Sequence, residues 1–118
     1  MCKKSFFIKF KEEYSERSFN PEETMKWLCI NKVITMSWAL EEPKSLINKE
    51  SITGLIFKVD GNYHKGYVMI TLGWNDIYKV RFFDFNYNEV KDMLSEVYCD
   101  ELQEKIDIVI EKEDYYIF

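Results

Sequence analysis

The sequence predicts an α+β fold: an antiparallel three-strand meander over residues 52–85, packed on one face by helices in a two-layer arrangement, with N-terminal strands available to extend the sheet. Three observations predict it. Residues 55–82 alternate apolar and mixed side chains with a period of two. Two turn-forming clusters, Asp60-Gly61-Asn62 and Gly73-Trp74-Asn75-Asp76, divide that stretch. Capped segments before and after it carry apolar residues at helical spacing.

The elements follow in chain order. Residues 4–11 read as a strand, with Phe6, Ile8 and Phe10 on one side. Asn20-Pro21-Glu22-Glu23 is a helix start, because Asn caps and Pro suits the first helical position. Met25, Leu28 and Cys29 supply its apolar face, and the helix ends near Asn31. Ile34, Met36 and Trp38 then alternate with Thr35 and Ser37, which reads as a strand; the rival is one longer helix through Leu40. Glu42-Pro43 breaks the chain, and 44–50 reads as loop or one helical turn.

In the meander, a hairpin closed at Gly61-Asn62 sets Leu55 opposite Val68. One face is then wholly apolar: Leu55, Phe57, Val59, Val68, Ile70, Leu72, Tyr78, Val80 and Phe82. A one-residue slip would scramble both faces, so the pattern itself specifies the pairing parity. Downstream, Asn86-x-x-Glu89 reads as a capping box ahead of Val90, Met93, Leu94 and Val97. Asp100-x-x-Gln103 opens a further helix with Leu102, Ile106, Val109 and Ile110 inward. The pattern over 87–112 fits one helix or two meeting near Cys99, and the competing reading keeps 87–93 extended and only 100–112 helical.

The length of 118 residues suits a single domain, residues 1–118. With 47% hydrophobic and 17% aromatic residues the chain can build a core, so disorder is excluded. No apolar run reaches the roughly 18–20 residues of a membrane helix, and Lys9, Lys11, Glu12 and Glu13 interrupt any secretory signal. Cys2, Cys29 and Cys99 are too few and too scattered for a disulfide framework, which points to reduced thiols and a cytoplasmic location. Frequent Lys, Ile, Asn, Glu and Tyr point to an AT-rich coding genome, bacterial or phage.

Charge is unevenly placed. Residues 1–50 hold nine basic and eight acidic side chains, and residues 51–85 hold four and three. Residues 86–118 hold three basic and ten acidic, net −7. Such asymmetry speaks of partners.

Catalytic constellations are scarce. His64 is the one histidine; a Cys99–His64 dyad is conceivable, and a rim histidine bonded to backbone or water is the commoner arrangement. No clustered metal ligands and no phosphate-binding glycine loop occur, so neither metal nor cofactor is expected. The chain reads as non-catalytic, and no catalytic residue is assigned.

Two surfaces stand out. The acidic C-terminal helix, with Glu101, Glu104, Asp107 and Glu111 outward, is followed by Tyr115 and Tyr116, while Trp74 sits at a turn tip. Carboxylates on a rigid helix beside aromatic anchors suit a basic protein partner, such as the channel of a nucleic-acid enzyme that the chain would inhibit or modulate. The alternative uses the mixed face of the meander, where Lys58, Lys65, Tyr67, Met69, Lys79, Arg81 and Phe83 interleave bases and rings. Single-stranded nucleic acid is bound by such platforms, although basic stems also lie over aromatics in ordinary folds. A third reading places a small-ligand or enzymatic pocket near His64. Homodimerisation through an edge strand or the aromatic tail fits all three.

Overall fold

The computed structural model describes residues 3–61 and 63–110. Five antiparallel strands form one open sheet, β1 (Glu41–Asn48), β2 (Ser51–Asp60), β3 (Lys65–Leu72), β4 (Tyr78–Phe83) and β5 (Leu94–Val97), in spatial order β1-β2-β3-β4-β5. The helices are α1 (Lys3–Lys9), which continues as a π-helical turn over Phe10–Tyr14, α2 (Pro21–Leu28), α3 (Lys32–Ser37) and α4 (Leu102–Ile110), which follows a 3-10 turn over Cys99–Glu101. No described helix is long and apolar enough to cross a membrane.

The meander forms where the alternation predicts it, and all nine residues of the apolar face are buried in one core. The first hairpin closes differently. Leu55 pairs with Ile70 and Phe57 with Val68, so the register is two residues away from the predicted one. Asp60 pairs with Lys65 and Gly61 N–H donates to the His64 carbonyl at 3.0 Å, a longer loop than Gly61-Asn62 alone, with Asn62 itself outside the described residues. An even shift keeps each residue's parity, so both faces survive the change.

The sheet is wider than three strands. Residues 41–48 form edge strand β1, correcting the expected break at Glu42-Pro43 and the loop or helical turn over 44–50. Its hairpin to β2 turns on Lys49 (φ 52°) and Glu50 (φ 67°), two left-handed residues where Asn-Gly is usual. The opposite edge, β5, replaces the helix expected from Asn86-x-x-Glu89. Asp84 accepts hydrogen bonds from the backbone N–H groups of Asn86 (2.8 Å) and Asn88 (3.0 Å), which turns the chain. A bulge in β5 then lets Leu94 sit opposite Val80 and Val97 opposite Tyr78. That bulge puts residues three apart on one face, which is why a strand mimics helical spacing here.

The N-terminal segment is helical, correcting the expected strand over 4–11. Phe6, Phe10 and Tyr14 are buried at i, i+4 and i+8 against Leu46, Ile56, Met69 and Phe83. Helices thus cover both faces of the sheet: α1 lies on the mixed face, and α2, α3 and α4 on the apolar one. Gly54 permits the first contact, since a Cβ there would lie 2.7 Å from a Phe10 ring carbon. Residues 15–19 carry the chain between layers, pinned where Arg17 N–H donates to Leu72 O (3.1 Å) and Phe19 N–H to Ile52 O (3.0 Å).

Residues 32–37 are helical too, correcting the expected strand over 34–38. Asn31 Oδ1 caps α3 by accepting from Val33 N–H at 3.1 Å. The junction of α2, α3 and α4 is tied by Gln103. Its buried amide nitrogen lies 2.7 Å from Leu28 O, 2.8 Å from Asn31 O and 2.7 Å from Thr35 Oγ1, and its two N–H groups are shared among these acceptors at the end of α2.

Candidate functional site

The mixed face of the meander is not open. Met69 and Phe83 are buried beneath α1. Lys58, Tyr67, Lys79 and Arg81 are half-buried around that contact, and Lys65 is exposed. The bases are engaged inside the molecule. Lys58 Nζ lies 3.2 Å from Glu42, Lys65 Nζ 3.1 Å from Asp60, and Lys79 Nζ 2.9 Å from Glu16. The Arg81 guanidinium stands 4.3 Å from the centroid of the Tyr14 ring. Tyr67 stacks on Tyr87 at 4.8 Å and 10°. A run of bases seeking Met69, Arg81 and Phe83 would meet the Phe6–Tyr14 helical segment in their place.

His64 is 3% exposed and sits edge-on to Phe82 at 5.4 Å, with Nε2 3.2 Å from the Tyr67 carbonyl. Burial holds its imidazole below the ordinary range. Cys99 lines a shallow cleft with Tyr78. Phe82 and Tyr78 are four residues apart on β4, roughly 13 Å at the rise of a strand. The Cys99–His64 dyad is therefore not assembled. Cys29 and Cys99 are free thiols, and no group of three or more metal-ligating side chains occurs among the described residues.

The acidic side is divided in its roles. Asp107 accepts the Trp38 indole N–H at 2.9 Å, a contact that fastens α3 to α4. Glu101 accepts from Tyr98 N–H at 3.4 Å and lies 3.9 Å from Lys105. Glu104 is exposed. Glu111, Tyr115 and Tyr116 lie outside the described residues. Trp74, in the β3–β4 turn, is 77% exposed. Tyr98 follows Val97, which pairs with Tyr78, so it stands at the same end of the sheet and is exposed as well.

Sequence reasoning missed the acids outside the helix. Glu89, Asp92, Glu96 and Asp100 are exposed along the approach to β5, along its edge and in the 3-10 turn. Glu89 lies near enough to Lys9 and Arg81 to favour their charged forms, whereas Asp92, Glu96 and Asp100, and Glu104 on α4, are exposed and not ion-paired to a described lysine or arginine. The regional net charge signalled them; the expected helix from Asn86 through Val97 hid that Glu96 stands on an edge strand. Reading α3 as a strand hid a second feature. Ile30, Val33 and Met36 are exposed together at the α2–α3 corner, whereas the strand reading put Met36 beside the buried Trp38.

No family model matches the chain, and neither a curated protein nor a solved structure matches it.

Proposed function

We propose that this chain is a non-catalytic interaction domain that docks on a basic protein partner through its β5–α4 side, with Trp74 and Tyr98 as anchors. The observation that carries the reading is the contrast in charge pairing. Four of the bases that face or border the sheet are held by Glu16, Glu42, Asp60 and Asp76. The exposed carboxylates of Asp92, Glu96, Asp100 and Glu104 have no such partners among the described residues. Like charges fixed on a rigid backbone repel, and a basic surface relieves that repulsion while steering encounter. Exposed Trp and Tyr at the rim supply the desolvated contact that charge alone does not.

A partner with a basic channel, such as a nucleic-acid enzyme of a bacterial or phage host, fits this chemistry. Free thiols at Cys29 and Cys99 suit a reducing cytoplasm. Direct nucleic-acid binding is less favoured, because α1 lies over the rings. Edge-to-edge self-association is also opposed: β1 carries Pro43 and two register shifts, and β5 spans four residues with Glu96 on it.

The test is affinity capture from a host extract, with the captured protein then purified for binding kinetics. The Glu96→Lys, Asp100→Lys, Glu104→Lys triple variant should fold with an unchanged cooperative transition and lose capture. The on-rate of the parent should fall roughly tenfold or more as salt rises from low to high. Equal binding by parent and variant, or a partner whose binding ignores salt, defeats the proposal. A single-stranded oligonucleotide titrated at about 50 mM salt, where phosphate contacts are strongest, should not bind.

A further inference from the structure

A second site lies on the α1 side. Between α1 and the irregular end of β1 is a cavity of about 160 Å³, walled by Phe7, Tyr67 and Tyr87 and rimmed by Glu42, Lys44 and Lys58. The bulge at Glu42-Pro43 shapes it, since two residues of β1 there stand against one of β2.

The walls are held in place. The Tyr87 hydroxyl donates to that of Tyr67 at 3.4 Å, and Phe6 backs the Tyr87 ring at 4.9 Å. Both Glu42 (φ 51°) and Tyr87 (φ 64°) adopt the left-handed conformation, which non-glycine residues rarely take. Bulges and strained residues concentrate where a site must be shaped. Burial, with the bond to Tyr67, pushes the Tyr87 phenol up to about 12, so that ring is neutral at ordinary pH.

The rim is cationic. Lys58 is shared between Glu42 and the Tyr67 ring, whose centroid lies 5.9 Å from Nζ. Lys44 pairs with no carboxylate among the described residues. The three rim charges leave one net positive charge, which suits a monoanion. The volume is below the ~300–1,000 Å³ of drug-sized sites, so the guest is about one ring in size.

We propose that this cavity binds a small aromatic carboxylate, its ring against Phe7, Tyr67 and Tyr87 and its carboxylate at Lys44 and Lys58. The site is separate from the acidic edge, and neither reading depends on the other.

The experiment is a titration of the full chain with benzoate, followed by amide shifts in two-dimensional NMR. Saturable shifts should cluster at residues 56–58, 67 and 87, with a Kd in the low millimolar range typical of so small a ligand, roughly 1–5 mM. Benzamide, the neutral isostere, should bind at least fivefold more weakly. Lys44→Met, an exposed and structurally mild change, should weaken benzoate by a similar factor without moving the melting transition. Any of three results overturns the proposal: no saturation by about 20 mM, equal affinity for benzamide, or shifts scattered over surface lysines.

Discussion

The two faces of one sheet are built from the same strands and stabilised by different means. The face under α2, α3 and α4 is aliphatic and aromatic throughout, from Leu55 to Phe82. The face under α1 has an apolar centre of Ile56, Met69 and Phe83, ringed by Lys58, Lys79 and Arg81. On that second face the charged heads reach Glu42, Glu16 and the Tyr14 ring while their stems lie over the core. A mixed cationic face can therefore be an interior surface whose charges are settled internally. The difference teaches that apolar uniformity states burial outright, whereas interleaved bases and rings leave open what covers them.

The largest effects should separate the faces. Phe82→Ala removes a fully buried ring from the uniform core and should cost about 3–5 kcal/mol, read as a lower denaturation midpoint. Phe10→Ala removes a ring from the α1 face, where Gly54 gives it room. It should strip hydrogen-exchange protection from residues 3–14 while β2, β3 and β4 keep theirs. Equal loss of protection on both faces would mean that the two layers unfold as a single unit.

A smaller effect concerns the ring of cations. Arg81→Met keeps an apolar stem over Tyr14 and gives up the cation–π contact, so about 0.5–1 kcal/mol should be lost. A loss several times larger would show that the charge itself holds α1 in place.

The smallest effect is a pH dependence from His64, on the uniform face. Burial lowers its folded pKa, so protons bind the unfolded chain more readily. The neighbouring Lys91 works in the same direction, and Asp84 opposes it. This contribution is complete above the ordinary imidazole value near 6.5 and is lost as pH falls from there toward the folded value. His64→Gln should flatten the stability difference between pH 7.5 and pH 5.5. An unchanged slope in that variant would assign the dependence to other groups.

Much of this was legible before any coordinates. The alternation at 55–82 sorted nine core residues correctly, and a two-residue register change left that sorting intact because strand parity has period two. Asn20-Pro21 marked the start of α2 for the same local reason, a side-chain cap that needs only its own turn. Trp74 was found at an exposed turn tip. The failures share a cause. Residues 4–11 and 34–38 each carry a pattern that strand and helix both accommodate over so short a span, and the layer they pack on chose between them. Lys49-Glu50 lacks the glycine that announces a tight hairpin, so β1 passed unseen.

The sequence alone determined which side of each meander strand is apolar, where α2 begins, and that negative charge gathers after residue 85. Those properties depend on side-chain order and on hydrogen bonds that close within a few residues. Only the tertiary structure decided that α1 covers the cationic face, that Asp107 serves Trp38 instead of a partner, and that Gln103 ties α4 to the ends of α2 and α3. Each of those facts joins residues far apart in the chain, and folding brings them together through the burial of surfaces whose local patterns name no particular mate.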